Sequence, residues 1–380
     1  MKKLFILIIY ILLFISLTGK ANAIYNPLSV KNNIFGIHIL YPEEIGEAAA
    51  LINSTNGDWG YVIIPIKASD RNLDKWQTFM DNARKYHVIP IIRIATDGDY
   101  FDKISWSKPS EYDVLDFANF LNSLDWPTKN RYVVVYNETN RGDEWGGIPN
   151  AFEYAKILEY AVNIFKEKNK DFFIISAGLD NASINIPNKS INNFTYMYQM
   201  NDAVPGIFAK IDGFSSHSYP NPGFSSPPSL SRVGIYSFYY QNQLVNTLSG
   251  KNLPIFLTET GWSSDTIPQD LQANYYRDSI ANYWNDSNIV TITPFIFRAN
   301  QEAFTQFSFI KNGEETGIYK QYKKFIKVKG EPQLSKPLFK QNDLKLILKT
   351  RQFENNYSDN SIFGKVNKSG LDFFKWLLKI

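Results

Sequence analysis

The 380-residue chain contains no cysteine and only three histidines. Without thiols it has no disulfide framework, thiolate zinc site, iron–sulfur cluster or cysteine nucleophile. The histidines, His38, His87 and His217, stand far apart in the sequence, whereas a metal-dependent hydrolase needs clustered ligands. No G-x-S-x-G elbow is present to carry a serine nucleophile. The first strand-like run leads into Ile39-Leu40-Tyr41-Pro42-Glu43 instead of a glycine-rich phosphate turn, against an open dinucleotide-binding sheet. Long hydrophobic runs are also scarce. The one at Leu4–Leu17 falls short of the roughly 20 residues that span a bilayer. Lys2 and Lys3 precede it and Ala21-Asn22-Ala23 follows, the pattern of a secretory signal peptide cut after Ala23. The expected mature protein is secreted, periplasmic or held at the cell surface.

What the chain does have is apolar and aromatic mass, 44% and 16% of residues, against 20% charged. Disordered proteins lack that balance. The net charge of +3 hides a segregation: residues 24–319 carry −9 and residues 320–380 carry +9. The acidic body argues against a nucleic-acid partner. The basic end, closing on LDFFKWLLKI, reads as a solvated extension whose helix packs on the body. The other reading is a short amphipathic helix making weak contact with an anionic membrane or wall surface.

Eight β-branched and aromatic runs predict strands at Ile34–Leu40, Tyr61–Ile66, Val88–Thr96, Tyr132–Tyr136, Phe172–Gly178, Ile211–Ser216, Pro254–Thr258 and Ile289–Phe297. They are near-continuously apolar, as buried parallel strands are when both faces are covered. Helical periodicity separates them. Phe152, Ala155, Leu158, Val162 and Phe165 fall at threes and fours after Pro149-Asn150, and Leu73, Trp76, Met80 and Ala83 do so after Asp70-Arg71-Asn72. Strand starts lie 27 to 44 residues apart, and a βαβ unit takes about 30. Eight such units in succession predict an α/β fold, a (β/α)8 TIM barrel. The barrel is expected over residues 24–330, with a turn at Asn312-Gly313 before its closing helix and a basic extension over 331–380.

In such barrels the reactive groups lie at the carboxyl ends of strands. The fourth strand ends Tyr136-Asn137-Glu138 and the seventh ends Thr258-Glu259-Thr260-Gly261-Trp262. Each places a glutamate directly after an apolar run, where a carboxylate is otherwise unwelcome. Strands four and seven stand across the mouth from each other, so the two carboxylates would meet over one cleft. Glycosidic cleavage requires such a pair: one protonates the leaving oxygen, and the other attacks the sugar or activates water. A separation of about 5–5.5 Å gives double displacement with retention. On this reading Glu138 is the acid/base and Glu259 the nucleophile, and neither needs a metal or cofactor.

The ordered pair, Asn137-Glu138 after strand four and Glu259 after strand seven, resembles clan A of the retaining glycoside hydrolases over residues 34–326. The TETGW segment, HSYP and the WGG loop resemble the cellulase/mannanase and xylosidase/iduronidase families, and ETGW also resembles the endo-1,3-glucanases. The resemblance implies that Asn137 binds the sugar 2-hydroxyl and that Arg93, from strand three, keeps Glu259 ionised. It likewise implies that Tyr219 hydrogen-bonds the nucleophile while His217 lines the sugar subsite. His38, after strand one, is a further candidate sugar ligand or a structural residue.

Flat side chains at the mouth suit sugar rings, and Trp262 and Trp145 are the candidates. Asp143 and Glu144, in the same loop as Trp145, read as solvating charge. Many clan members end strand eight in a tryptophan that floors the reactive subsite. Here the chain reads Pro294-Phe295-Ile296-Phe297-Arg298, so Phe297 or Arg298 is expected to fill that space. The expected function is hydrolysis of a β-glycosidic bond in an oligo- or polysaccharide. A transglycosylase on the same carboxylates and a non-catalytic carbohydrate-binding barrel are the alternatives.

Overall fold

The computed structural model describes residues 24–98, 105–300 and 302–336. The expected signal peptide and the basic extension beyond Lys336 lie outside these residues. Eight parallel strands follow one another: β1 (Gly36–His38), β2 (Gly60–Lys67), β3 (Val88–Ala95), β4 (Arg131–Val135), β5 (Phe172–Ile175), β6 (Phe214–His217), β7 (Ile255–Glu259) and β8 (Ile289–Ile292). β1 to β5 pair in sequence order, as do β6 to β8. Single parallel bridges, Ile175 to Gly213 and Phe35 to Ile292, join the two runs at both edges and close the ring. All eight expected strands are present. The ends of β1, β3, β4, β5 and β8 were drawn too long because the apolar runs continue into buried loops, whereas β2, β6 and β7 run one residue further than expected.

Alternation along each strand divides the core into two layers, since successive side chains point to opposite faces. On β2, Tyr61 and Ile63 point into the ring, where they meet Ile89, Ile91, Tyr132, Val134, Phe173 and Phe256. Val62, Ile64 and Ile66 point outward against the helices. The interior is thus a packed plug of large side chains rather than a channel.

The covering helices are α1 (Ile45–Ile52), α2 (Leu73–Lys85), α3 (Glu111–Asn122), α4 (Ala151–Lys168), α5 (Asn193–Ala203), α6 (Ile207–Lys210), α7 (Ser237–Ser249), α8 (Gln269–Asn282), a single turn α9 (Glu302–Thr305) and α10 (Gly317–Lys324). α4 starts where Asn150 accepts bonds from the backbone N–H of Phe152 and Glu153, both 3.1 Å, satisfying donors a helix start leaves open. Its inward stripe is Ala151, Tyr154, Ala155, Leu158, Ala161, Val162 and Phe165. Phe152 is therefore exposed and not part of the core, and Leu73 at the start of α2 is exposed for the same reason. Both sit in the first turn of their helix, where fewer neighbours cover a side chain. Asn312 and Gly313 carry the expected turn with positive φ, between the two short strands β9 (Ile310–Lys311) and β10 (Glu314–Glu315).

The chain remains with the barrel through Ser335. Residues beyond Gly330 bond across its lower end, from the Glu331 N–H to Lys31 O and from the Lys129 N–H to Gln333 O, both 2.8 Å. Among the described residues no helix is long and apolar enough to cross a membrane.

Candidate active site

The upper ends of five strands deliver the ionisable groups to one place. β4 stops at Val135, and the chain then passes through positive φ at Tyr136 (68°) and again at Glu138 (33°). Non-glycine residues rarely adopt this conformation, and it concentrates at functional sites. The turn is held by the Glu138 N–H donating to Gly178 O at 2.9 Å and the Arg141 N–H donating to Glu138 O at 2.8 Å. β7 delivers Glu259 without such a turn, as its last strand residue.

Glu138 and Glu259 are buried, 8% and 7% exposed. One donor atom from each, with one ring nitrogen of His217, lie within 4.8 Å of one another. Glu259 has a partner on both oxygens: the Arg93 guanidinium donates to Oε1 at 2.5 Å, and the Tyr219 hydroxyl donates to Oε2 at 3.0 Å. Arg93 also donates to Asn137 Oδ1 at 2.5 Å, so the residue before one glutamate is tied to the cation that holds the other. Glu138 lies with Oε1 2.9 Å from His217 Nδ1 and accepts from Arg141 on Oε2 at 2.9 Å. Asn137, Arg93, His217 and Tyr219 are therefore brought together with the two carboxyls.

Burial pushes the Glu259 carboxyl upward, but the charges of His217 and Arg93 and the Tyr219 hydrogen bond outweigh it and hold it below the ordinary value. His217 is the mirror case: burial lowers it, and the two glutamates raise it above the usual imidazole value. His38 is fully buried with neither ring nitrogen hydrogen-bonded. Its Nε2 is 3.7 Å from Glu259 Oε1. Burial, then Arg93 and His217, keep it well below the usual value and hence neutral. Two carboxyls and an imidazole are a donor set a metal ion can use. Here Arg93 and Arg141 already occupy oxygens of both carboxyls, and their charges oppose a further cation.

Other proteins share this arrangement of strands and helices. No family model matches the sequence, and no curated protein matches it either. Solved structures do. A family 39 glycoside hydrolase from Bacteroides cellulosilyticus superposes with a TM-score of 0.53 at 15% identity, covering 79% of this chain and 64% of that one. This chain thus spans less than two thirds of that protein's length. GH5_18 from Streptomyces cattleya, in complex with Manb1-4GlcNAc, gives a TM-score of 0.56 at 10% identity over 78% and 80% of the two chains. Thermotoga maritima Cel5A, in complex with cellobiose, gives 0.51 at 13% identity over 78% and 99%. At these identities the shared property is the fold. The chain has the barrel architecture of the glycoside hydrolases.

Several sequence expectations are corrected. Trp262 is only 1% exposed. It packs on Tyr275, Tyr276 and Trp284 and donates its indole N–H to Ser226 O at 2.8 Å. Trp145 is equally buried, wedged between Tyr136 and Tyr154. Neither offers a free ring face to a sugar, because both loops fold back over the barrel helices. Phe297 is buried in the outer core, and Arg298 reaches away to Glu47 at 2.7 Å. Phe295 is the aromatic beside the site, edge-on to His38 with ring centroids 5.0 Å apart. Asp143 and Glu144 are more than solvating charge. Asp143 forms a two-pronged pair with Arg141. Burial, with the nearby Glu138 charge, pushes the Glu144 carboxyl up to about 8.

Sequence reasoning missed Arg141, Trp106 and Gly178. Arg141 follows Glu138 by three residues, a spacing that was visible. Trp106, half-buried, is anchored to the Glu138 loop: its N–H donates to Asp143 O and its carbonyl accepts from the Gly146 N–H, both 2.8 Å. Nothing in the sequence around Trp106 signalled that placement.

Proposed function

We propose that the protein is an exported glycoside hydrolase that cleaves a β-glycosidic bond with retention, using Glu138 and Glu259. The observation that carries this reading is the meeting of the two carboxyls, with His217, inside 4.8 Å. That closeness agrees with the about 5–5.5 Å between the carboxyls of double-displacement enzymes better than with the roughly 6.5–9.5 Å of inverting ones. The asymmetry around the pair supports the division of roles, since Glu259 is kept ionised by Arg93, His217 and Tyr219.

In the first step a Glu259 oxygen bonds to the anomeric carbon as the glycosidic C–O bond breaks, and Glu138 gives its proton to the departing oxygen. In the second, water attacks the same carbon while Glu138 takes its proton. The glycosyl ester bond breaks in that same displacement, and Glu259 returns as a carboxylate. Asn137, fixed by Arg93, faces the sugar 2-hydroxyl. Phe295 and neutral His38 form the apolar and polar parts of the subsite floor, and Trp106, half-buried and tied by its backbone to the Glu138 loop, is our candidate for the stacking face that Trp145 and Trp262 do not offer.

Neighbours of this fold are recorded with cellobiose and Manb1-4GlcNAc, so gluco- and manno-configured β-glycosides are the first substrates to test. Purified protein is assayed on a panel of aryl β-glycosides and β-glucans or mannans, and the anomer first released is read by NMR. Turnover with the β-anomer released first supports the reading. Glu259→Ala should abolish turnover and still bind ligand. An α-anomer released first, or a Glu259→Ala protein as active as wild type, would overturn it. Export is tested by cell fractionation and amino-terminal sequencing, with Ile24 the expected first residue.

A further inference from the structure

Each oxygen of Glu138 is already engaged, and Arg141, the partner on Oε2, is itself shared. Its Nη1 donates to Glu138 at 2.9 Å, while Nε and Nη2 donate to the two oxygens of Asp143 at 3.1 and 2.6 Å. The planar guanidinium presents one edge to Asp143 and a single donor to Glu138, a geometry that lysine cannot reproduce. The loop carrying both charges is built rather than loose. The Gly142 N–H donates to Lys189 O at 2.8 Å, and the Gly147 N–H returns to Gly142 O at 2.7 Å. A Cβ on Gly142 would fall 2.5 Å from Gly147 O, so the turn closes only around glycine.

We propose that Arg141, divided between Glu138 and Asp143, is a positioning residue that fixes the Glu138 carboxyl and balances its charge for proton transfer in both directions. This rests on the glycosidase reading and adds to it. A general acid that becomes a base in the next step must hold a proton and release it at one working pH. An arginine pledged to Glu138 alone would favour the ionised form. Asp143 takes up part of that charge, and it keeps Arg141 bonded whenever Glu138 carries the proton. The remaining groups facing Glu138 are His217 from β6, Tyr219 just after it, Glu259 from β7, Glu144 in its own loop and Asp180 after β5, with Arg93 from β3 acting beyond His217 and Glu259. Among them Arg141 and Asp143 are the pair that one substitution each can unbalance in opposite senses.

The test is the pH profile of kcat/KM for wild type, Arg141→Gln and Asp143→Asn. Losing the cation should move the alkaline limb up by about one pH unit, as expected for removal of an opposite charge at this range. Losing the counter-anion should move it down. Arg141→Gln should also lose about 10²-fold on alkyl glycosides, and far less on a dinitrophenyl glycoside, whose leaving group needs no proton. Limbs that stay in place, or that move in the same direction, would overturn the proposal while leaving an active enzyme and the glycosidase reading intact. If Arg141→Gln does not fold, the downward shift in Asp143→Asn decides alone. Wild-type protein inert on every glycoside would overturn both readings together.

Discussion

A Cβ added to Gly178 would lie 2.1 Å from His217 Cδ2 and 2.4 Å from its Nε2. The imidazole occupies the space in which a side chain on the loop just after β5 would stand, and from there its Nδ1 reaches Glu138 Oε1. The residue is thus glycine because the ring of the next strand passes over its backbone, and not because of its own dihedral angles. Gly178→Ala should displace His217 and with it the Glu138 carboxyl. A misplacement near 1 Å costs about 10²-fold, so kcat/KM should fall at least that far while circular dichroism reports an intact barrel. Wild-type activity in the alanine variant would show that His217 does not set the position of Glu138.

The Tyr219 hydroxyl is the donor on the second oxygen of Glu259, and it is among the groups that hold this carboxyl low. Removing it in Tyr219→Phe leaves the ring packed and takes away one bond to a charged acceptor, worth about 1.5–3 kcal/mol. The acid limb of the activity profile, set by protonation of Glu259, should move to higher pH, and kcat should fall about ten- to hundredfold. An acid limb in its wild-type place would remove Tyr219 from the account of the nucleophile.

The chain declared its architecture plainly. Eight apolar runs at one-crossover spacing leave few folds other than a closed parallel ring. A glutamate at the end of two of those runs is an expensive placement that sequence patterning makes visible. Arg93, His217 and Tyr219 were legible through the resemblance to the retaining glycoside hydrolases, whose polar residues they match on and just after strands three and six. What was not legible depends on how loops return. Trp145 and Trp262 look like surface aromatics in polar loops, yet the loops fold inward and pack them against Tyr154 and Tyr276. Phe295 was passed over for Phe297 and Arg298 because the direction of each side chain past β8 cannot be read from alternation once the strand has ended. Trp106 is positioned by backbone hydrogen bonds to another loop, a relationship that leaves no local pattern.

His38 and His217 should pull stability in opposite directions with pH. The folded value of His38 lies well below the ordinary 6.5. As pH falls below 6.5 the unfolded chain therefore takes up a proton that the folded one refuses, and stability drops. The folded value of His217 is raised. Its contribution is fully present below 6.5 and is lost as pH climbs through that raised value, so it does not produce the acid decline. The depressed Glu259 adds its own loss only below the ordinary carboxyl value of 4.5. Between those two values, denaturation of wild type and His38→Leu isolates one proton, up to about 1.4 kcal/mol per pH unit in slope. Parallel slopes in the two proteins would show that His38 takes up its proton normally in the folded state.

Trp262 and Trp106 should separate stability from substrate binding. Trp262 is enclosed by Tyr275, Tyr276 and Trp284, with its indole N–H satisfied by the Ser226 carbonyl. Trp262→Ala leaves a cavity and an orphaned acceptor, and such substitutions cost about 3–5 kcal/mol. Its midpoint of thermal unfolding should fall sharply, while KM for the protein that remains folded stays near wild type. Trp106 is half-buried, with Lys67 Nζ 5.2 Å from its ring centroid and its backbone pinned to the loop of Glu138. Removing the ring by Trp106→Ala keeps those backbone bonds and should leave the unfolding midpoint little changed. A stacked sugar would lose its platform, so KM for an oligosaccharide should rise about tenfold, on the order of one aromatic contact. The contrast is read by differential scanning calorimetry alongside initial rates. A Trp106→Ala enzyme with wild-type KM on every oligosaccharide tested would remove Trp106 from the substrate cleft.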